Sequence, residues 1–565
     1  MNISKKTKNK LLCLGLMFLL VFSGCSPETE NSELSDSFPT PPSPVEAHSN
    51  RPTRPVNTTV TLSDSEIQID GTGAQADGST LTITADGVYE IKGSLSDGQI
   101  LINANDTTKV ELLLSGVDIA SSKSSAIYCI NADDFIISLA DGTENKLTDA
   151  VSYTYDDEIN EEPNAALFSK VDMNIGGDGS LTINSNFQHG ISSKDDLVIE
   201  GGSFDVKAVS HGIRGRDSLT ILNGNFNIEA GGDGLQSSNI ERADYGWVLL
   251  SGGQYNLKVS GDGIQAETSL TIQGGTYDIT TSGTPMNDST SQKGLKAGTI
   301  LTVEDGDFKI NSIDDAVHSN TDIGINGGTF AIYTRDDGIH ADRKLNISGG
   351  TIDIPECYEG FEGTVVEISG GKSFISSTDD AISAAGGTDD TQGDGARRAA
   401  NKDVYVRITG GEVEAVSRGD TIDANGYVYV EGGTLRLSAP IEPSWEGAIL
   451  CNGDVTFTGG NVAVSGRVGV GVAAESQPVL LISHISQQAE GSVVSLRDQS
   501  GHIILEHTSR QAYSDSAFSC PEMQVGSTYG IYVDGEKKIN ITLQETITKI
   551  SDDGSEFKAP YPRTR

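Results

Sequence analysis

The sequence predicts an all-β protein, a right-handed parallel β-helix, from three observations. Small residues recur every 22 positions, as at Gly190, Gly212 and Gly234. A second motif keeps step with them: two short alternating apolar segments joined by Gly-Gly or Asn-Gly, as in "LVIEGGSFDV" and "LTILNGNFNI". Alternation with a period of two predicts strands, and no hairpin turn signals separate the repeats. About three short strands per repeat of 22 residues favour a parallel β-helix over a sandwich or a propeller.

The repeats run from near Gly98 to near Gly469. We expect about 15 rungs, with neighbouring rungs about 4.8 Å apart and a solenoid about 70 Å long. The period excludes the nonapeptide calcium-binding roll, although "GGDGLQ" resembles its repeat once. Aromatic residues that share the phase of aliphatic ones are predicted to form an interior ladder, not a sugar-stacking platform. They are Phe204, Phe226, Tyr255, Tyr277, Phe308 and Phe330.

The first 25 residues predict an export signal. "MNISKKTKNK" carries four lysines, "LLCLGLMFLLVF" is short for a membrane span, and "SGC" places Cys25 after small residues. This pattern is typical of a bacterial lipoprotein, with a signal peptide over 1–24 and Cys25 as the acylated first residue of the mature protein. We therefore expect a protein held by lipid on the extracytoplasmic face of the cell membrane, with secretion as the alternative.

The segments that flank the repeats have different compositions. Residues 25–58 are rich in Pro, Ser, Thr and Glu, which predicts a disordered tether. The repeats over 59–475 are predicted to form the β-helix. Residues 476–550, with "PVLLISHI" and "TYGIYVDG", predict a small C-terminal antiparallel β cap over its open end, and 551–565 a loose tail.

The charge balance excludes some partners. The chain has 80 acidic and 39 basic residues, a formal net charge of −41, and removal of the signal peptide lowers it by four to −45. Such a surface repels nucleic acid and anionic lipid and attracts cations, so membrane contact is expected only through the lipid anchor. The sequence does not indicate a protein partner. Beyond Cys25 the chain has four cysteines, without a CxxC pair, which argues against a disulfide scaffold or a zinc site of that type.

The residue before each recurring small position is acidic in eight of thirteen repeats, and we call this set the acid column. It reads Ser125, Ala165, His189, His211, Asp233, Asp262, Lys293, Asp315, Asp337, Glu359, Asp380, Asp420 and Glu446. Asp314, Asp336 and Asp379 double the charge at three of these positions. Stacked carboxylates about 5 Å apart repel each other by about 1 kcal/mol in water and more when partly buried. A ladder of oxygen ligands with this repulsion suits Ca²⁺.

At each of these acids, a structural role in a turn is the alternative to metal binding. Asp-Gly and Asp-Ala pairs are common turn formers, and for isolated Asp233 and Glu446 we favour a corner residue. For the doubled acids of "IDDAVHS" and "RDDGIHA" we favour at least one bound Ca²⁺. His318 and His340 lie two residues after the small position. They could orient a sugar or a ligand carboxylate, or form a stacked pair on the surface.

These motifs together resemble a known family. "GVYEIKGSLSDGQILINANDTTKVELLLSGVDIASSKSSAIYC", "ISLADGTENKLTD" and the DDAVH and DDGIH columns are similar to bacterial cell-surface proteins that bind carbohydrate, namely cellulose and acidic sugars such as polygalacturonate. The resemblance covers roughly residues 58 to 545 and implies a fold like that of pectate lyases, with bound calcium. It implies as calcium ligands the paired acids Asp314, Asp315, Asp336, Asp337, Asp379 and Asp380.

Three functions follow from these expectations. The first is a lipid-anchored surface protein that binds polysaccharide, with Ca²⁺ bridging protein and sugar carboxylates. The second is a Ca²⁺-dependent polysaccharide lyase of the pectate type, with Lys293 or Lys296 as the base and Arg214 or Arg216 as weaker candidates. The third is a structural adhesin stiffened by calcium. Repetition of the acids favours binding over catalysis.

Overall fold

The computed structural model describes residues 52–155, 162–283, 291–385, 400–441, 446–467, 472–473 and 475–557. Within these ranges the regular structure consists of β-strands, which confirms the all-β prediction. No described segment is a helix with the length and apolar character of a membrane span. The predicted signal peptide, Cys25 and most of the predicted tether lie outside the described residues.

The strands begin at Thr58, the last residue of the predicted tether. The first ten are β1 (Thr58–Leu62), β2 (Gln68–Asp70), β3 (Ala74–Asp77), β4 (Thr80–Ile83), β5 (Gly87–Leu95), β6 (Gln99–Asn103), β7 (Lys109–Ala120), β8 (Ile127–Asn131), β9 (Asp134–Leu139) and β10 (Glu144–Thr148). Two residues of the predicted tether contact the folded part of the chain. Thr53 donates its backbone N–H to Glu111 at 3.0 Å, and Arg54 pairs with Asp86 at 2.7 Å.

Thirty-two strands follow through the repeats. They are β11 (Ala165–Ser169), β12 (Met173–Gly177), β13 (Ser180–Ser185), β14 (His189–Ser193), β15 (Asp196–Ile199), β16 (Ser203–Ala208), β17 (Ile213–Gly215), β18 (Ser218–Ile221), β19 (Asn225–Ala230), β20 (Leu235–Ser237), β21 (Trp247–Leu250), β22 (Gln254–Val259), β23 (Ile264–Ala266), β24 (Ser269–Ile272), β25 (Thr276–Thr281), β26 (Leu295–Ala297), β27 (Ile300–Val303), β28 (Asp307–Ser312), β29 (Val317–Ser319), β30 (Asp322–Ile325), β31 (Thr329–Thr334), β32 (Ile339–Ile347), β33 (Thr351–Cys357), β34 (Phe361–Ile368), β35 (Lys372–Ser377), β36 (Ile382–Ala384), β37 (Tyr405–Ile408), β38 (Glu412–Val416), β39 (Ile422–Ala424), β40 (Tyr427–Ser438), β41 (Leu450–Cys451) and β42 (Val455–Ser465).

These strands pair in parallel with the strand of the same kind in the next repeat, and they form three ladders. The first ladder includes β14, β17, β20, β23, β26, β29, β32, β34, β36, β39 and β41; β14 begins at the acid-column residue His189, and each of the others follows an acid-column residue. The second includes β15, β18 and β21, and the third includes β16, β19, β22, β25, β28, β31, β33, β35, β38 and β40. In the first ladder, Ile191 pairs with Ile213 and Ile213 with Leu235.

The core lies between the ladders. Ile191, Ile213 and Leu235 are fully buried, and one apolar cluster runs along the repeats. The aromatic residues predicted as an interior ladder are buried in the third ladder, with consecutive ring centroids 4.5–5.0 Å apart and ring planes within 7° of parallel. Stacked rings at this spacing combine burial of large apolar areas with favourable aromatic contact.

Glycine turns the chain between the second and third ladders. Gly224 and Gly275 have φ values of 136° and 115°, which side chains rarely adopt. A Cβ atom on either residue would also lie 2.9 Å from an atom of the ring two positions later, Phe226 or Tyr277. The Gly-Gly and Asn-Gly corners therefore allow the aromatic ladder to pack against the backbone.

Strands of a second kind follow the repeats: β43 (Val479–Gln488), β44 (Val493–Arg497), β45 (Ile503–Thr508), β46 (Tyr513–Ser519), β47 (Thr528–Val533), β48 (Glu536–Thr542) and β49 (Ile547–Ser551). Strand β46 runs antiparallel to β42 and β43, and β45, β44, β47 and β48 form an antiparallel sheet. Hydrogen bonds from His507 to Ser465 at 3.0 Å and from Arg510 to Glu414 at 2.6 Å connect this part to the ladders.

Candidate metal and ligand site on the acid column

The acid-column carboxylates hold the backbone of the next repeat. Asp233 Oδ1 accepts the N–H of Asp262 at 2.8 Å, and Asp262 Oδ1 accepts the N–H of Lys293 at 2.8 Å. The same bond joins Asp315 to Asp337 (3.2 Å), Asp337 to Glu359 (3.0 Å), Asp380 to Asp420 (2.6 Å) and Asp420 to Gly447 (2.5 Å). Each carboxylate thus has one oxygen bound to backbone, and its second oxygen can contact a cation. The sequence interpretation missed this bond, since it depends on the side-chain rotamer.

Lys293 is paired with two predicted calcium ligands. Its Nζ lies 2.6 Å from Asp314 Oδ1 and 2.7 Å from Asp315 Oδ2, and its side chain is 13% exposed. Burial opposes the lysine charge, but Asp315 and Asp314 outweigh that effect and raise the pKa of Lys293 above its usual range. Lys296 Nζ lies 3.5 Å from Asp262 Oδ2. Lys293 is therefore held protonated, a poor state for the base that a lyase requires.

His318 and His340 are buried, in contrast to the expected stacked pair on the surface, and their rings meet edge-on at 82° with centroids 5.0 Å apart. His318 contacts Asp315 through Nδ1 at 2.8 Å and Asn320 through Nε2 at 3.0 Å. Burial opposes the charge of Asp315, but contacts with His318, His340 and Lys293 outweigh it and hold the pKa of the carboxyl well below its usual range. Val317 and Ile339 face the core, so strand alternation places both rings on the outer face of the ladder, where the surrounding side chains bury them.

His340 also meets carboxylates of its own and the following repeat. Ligand atoms of Asp337, His340 and Glu362 lie within 4.8 Å of one another, and all three residues are buried. Burial, with the charges of Asp315 and Glu362, raises the pKa of Asp337 to about 9. Burial lowers the pKa of His340, but contact with Asp315 and the charge of Glu362 outweigh it and raise that pKa to about 9. Glu362, from the next repeat, was not among the predicted site residues.

A third group contains only carboxylates, one from each of three consecutive repeats. Ligand atoms of Asp380, Asp420 and Glu446 lie within 4.8 Å of one another; Asp420 is buried and the other two are half-buried. Burial and the charge of Asp423 raise the pKa of Asp380 to about 8; burial and Asp380 raise that of Asp420 to about 9. Among the described residues, the three carboxylates form no ion pair with Lys or Arg.

The predicted acids are thus distributed over several groups. Asp314 and Asp315 lie near Asp336, with ligand atoms within 4.8 Å, whereas Asp379 belongs to none of the described groups of three. Asp420 and Glu446 are additions to the predicted metal residues. Their position in the acid column could have identified them. The interpretation of Glu446 as a turn residue left it out of the predicted metal ligands.

A shallow groove of about 400 Å³ lies elsewhere, on the outer face of the third ladder. Its polar lining includes Ser203, Asn225, Gln254, Asn256 and Thr276. Asn256 donates to the side chain of Asn227 at 2.8 Å, so amide groups of neighbouring repeats are aligned along the groove. Amides and hydroxyls at this spacing can hydrogen-bond to an uncharged ligand.

The sequence matches a family model and a related protein. A family model described as "Carbohydrate-binding domain-containing protein" matches residues 77–338 and 334–443, together more than half of the chain. A protein of that description from Acetivibrio thermocellus is 38% identical over 154 residues, which are 27% of this chain and 54% of the relative. The chain therefore spans about half the length of this curated relative.

A solved structure, described as the polysaccharide lyase-like protein from C. thermocellum in a gadolinium derivative, is 35% identical in sequence. The match covers 39% of this chain and 93% of that chain, with a TM-score of 0.38.

Proposed function

Because the chain belongs to the family of carbohydrate-binding domain-containing proteins, we propose that it binds polysaccharide. We further propose that the ligand is an acidic polysaccharide such as polygalacturonate, held through Ca²⁺ on the acid column. The observation that carries this proposal is the group of three carboxylates, Asp380, Asp420 and Glu446, within 4.8 Å of one another and partly open to solvent.

The proposed scaffold is a right-handed parallel β-helix. Three parallel ladders that pair each repeat with the next support this fold. So does the register in the first ladder, where Ile191 and Ile213 are paired 22 positions apart. We also propose that β43 to β49 cap its C-terminal end, because β46 pairs with β42.

The donor set of this group fits calcium. Ca²⁺ prefers six to eight oxygen ligands in irregular geometry, and carboxylates supply up to two each. The raised pKa values of Asp380 and Asp420 mean that their negative charges are poorly compensated. The ion would supply a positive charge that protein and uronate carboxylates share. A chain of net charge −41 would otherwise repel a polyuronate.

The remaining predicted calcium ligands fit less well. Lys293 already neutralises Asp314 and Asp315 at hydrogen-bond distance. Asp337 lies with the imidazole of His340, and a nitrogen donor does not suit a hard cation such as calcium. For these reasons we place the proposed calcium site at the end of the acid column that carries Asp380.

An uncharged glycan such as cellulose is the alternative ligand. The amide-lined groove on the third ladder favours it, because aligned Asn225, Asn256 and Gln254 side chains can donate to and accept from sugar hydroxyls. This face needs no metal. Binding there would be independent of calcium, which separates the two ligands experimentally.

Affinity measurements with polygalacturonate and cellulose oligosaccharides, each with Ca²⁺ and with chelator, test the proposal. We expect polygalacturonate to bind only with Ca²⁺. Asp420→Asn and Glu446→Gln should weaken this binding by at least about tenfold, since each removes a charged ligand. Asp420→Asn retains an acceptor for the N–H of Gly447, which limits the effect on folding.

Glu412→Gln is the matched control, because Glu412 is an exposed acid of the third ladder and should not affect calcium or polygalacturonate. Equal polygalacturonate affinity in chelator and in Ca²⁺ would contradict the calcium bridge. Failure of both glycans to bind under either condition would favour the structural adhesin instead.

The proposed location is the extracytoplasmic face of the cell membrane, through a lipid on Cys25. The apolar run and the small residues before Cys25 support this proposal. Cys25→Ser should release the protein from the membrane fraction. Unchanged membrane retention of that variant would contradict the anchor.

A further inference from the structure

The His340 imidazole lies among carboxylates of three successive repeats. Its Nδ1 is 3.6 Å from Asp315 Oδ2, 3.5 Å from Asp337 Oδ2 and 3.4 Å from Glu362 Oε2. These residues come from the repeat before, from its own repeat and from the repeat after. One nitrogen and three oxygens from three successive repeats therefore lie close together.

The distances are long for hydrogen bonds and suited to metal ligands. An N–H···O bond is 2.7–3.2 Å long, so all three separations exceed that range. A tetrahedral metal with bonds of about 2.0–2.2 Å places its ligand atoms about 3.3–3.6 Å from each other. The observed separations match the edges of such a tetrahedron.

The burial of the imidazole is a second, independent observation. The His340 side chain is 6% exposed, so the imidazole is enclosed together with the carboxylates that face its Nδ1. Its Nε2 lies on the other side of the ring, 3.6 Å from Asp342 Oδ1, and takes no part in the proposed site. The Asp337 and Glu362 side chains, at 7% and 11% exposure, are enclosed with it.

The carboxylate oxygens that do not bind backbone face His340. Asp337 uses Oδ1 for the backbone of Glu359, which leaves Oδ2 toward His340. Asp315 likewise uses Oδ1 for the backbone of Asp337. Lys293 is paired with Asp314 and Asp315 and not with Asp337 or Glu362.

We propose that Asp337, His340 and Glu362 bind a first-row transition metal of the Zn²⁺ class, with Asp315 as the nearest further carboxylate. Imidazole nitrogen with carboxylate oxygen is a donor set for Zn²⁺, whereas Ca²⁺ takes oxygen alone. The enclosure of the ligands is typical of a structural zinc site. The metal would join two consecutive repeats, and a third if Asp315 also binds it. This site is separate from the open carboxylate group proposed for calcium.

Metal binding to the exported chain tests the site directly. The protein is stripped with chelator, saturated with Ca²⁺, dialysed against Zn²⁺ or Co²⁺, and its metal content and cobalt visible spectrum are measured. We expect one equivalent retained in excess Ca²⁺, the absorption bands of four-coordinate cobalt, and a higher melting temperature with Zn²⁺.

Two variants remove ligands and one serves as control. His340→Ala and Glu362→Gln should each weaken Zn²⁺ and Co²⁺ binding by at least about tenfold and abolish the thermal shift. Glu446→Gln, which removes a proposed calcium ligand, should bind both metals as the wild type does. Circular dichroism verifies folding, and if His340→Ala does not fold, the isosteric Glu362→Gln decides.

Three outcomes would overturn the proposal. The wild type could retain neither Zn²⁺ nor Co²⁺, or equimolar Ca²⁺ could displace them, or the Glu362→Gln variant could bind them as tightly as the wild type. None of these depends on glycan binding, so the proposed function and this site can fail separately.

Discussion

One oxygen of the Asp337 carboxylate accepts the backbone N–H of Glu359 at 3.0 Å, across one repeat of the first ladder. The same relationship recurs along the acid column and gives its carboxylates a structural role. A position that serves as a backbone acceptor with one oxygen can still bind a cation with the other. The same acid-column side chains therefore stabilise the fold and can bind a cation.

The first prediction concerns this bond at Asp262. Asp262→Ala removes the acceptor of the buried Lys293 N–H and should lower the free energy of unfolding by about 1–3 kcal/mol. Asp262→Asn keeps an acceptor and removes a charge that burial and Asp233 disfavour, so its loss should be smaller. Urea denaturation measures both. Equal losses for the two variants would argue against a role for the acceptor.

The second prediction is a pH dependence at Glu359. Burial and the charges of Glu362 and Asp337 raise the pKa of Glu359 to about 10, above its ordinary value of 4.5. The folded state therefore holds the proton more tightly, and stability is lost as the pH rises between these values.

Removal of the carboxyl should reduce that dependence. Glu359→Gln should flatten the fall in the free energy of unfolding by up to about 1 kcal/mol per pH unit between pH 5 and pH 8. Melting curves of both proteins across this range check the effect. Parallel curves for wild type and variant would show that Glu359 does not hold a raised pKa.

The third prediction concerns the aromatic ladder. The Tyr277 hydroxyl donates to the carbonyl oxygen of Gly274 at 2.7 Å, while its ring stacks on Tyr255 and Phe308. Tyr277→Phe should cost about 0.5–1.5 kcal/mol of stability, because it loses one hydrogen bond. Tyr277→Ala should cost about 3–5 kcal/mol, because it leaves a cavity in the stack. A larger loss for Phe than for Ala would contradict the interior role.

The fourth prediction compares the stability contributed by the ion pairs of Lys293, which are largely shielded from solvent, with that of the exposed pair of Lys309. Lys293→Gln removes the lysine charge that Asp314 and Asp315 share and should destabilise the fold by about 3–5 kcal/mol. Lys309→Gln is the control, since its pair with Asp278 is exposed and should contribute at most about 1 kcal/mol. Similar losses for the two variants would mean that burial does not strengthen the Lys293 pairs.

The fifth prediction addresses the lyase alternative. Lys293, with a raised pKa, is held protonated by its carboxylates, so we expect no unsaturated product from polygalacturonate and Ca²⁺. Absorbance of the unsaturated uronate provides the measurement. Product formation that disappears in Lys293→Gln or Lys296→Gln would establish lyase activity instead.

Much of the architecture could be read from the chain because each repeat meets the same environment. The apolar residue after each small position, such as Ile213, recurs at a constant spacing and is buried. The aromatic residues share a phase with Ile352, which pairs in register with Phe330, and they are interior as predicted. Periodicity reports which face is buried, since side chains of a strand alternate between faces.

The site was harder to predict because its geometry is not periodic. The sequence drew attention to Asp336 and Asp337 as a pair, yet Asp336 lies with Asp314 while Asp337 lies with Glu362. Asp336 and Asp337 lie in the connection between β31 and β32, where the local backbone geometry decides which way each side chain points, so adjacent acids need not share one ligand. Lys293 stood in the same column, but its contact with two acids depends on the rotamer of a long side chain.

By itself, the sequence determined the all-β class and the chain-wide excess of acids, because composition and a 22-residue spacing are properties of the chain alone. Tertiary structure decided which acids meet. Asp337, His340 and Glu362 converge, as do Asp380, Asp420 and Glu446, only because parallel pairing brings successive repeats within side-chain reach. Burial then sets the charge of each group, since the cost of a carboxylate depends on the water and the partners around it.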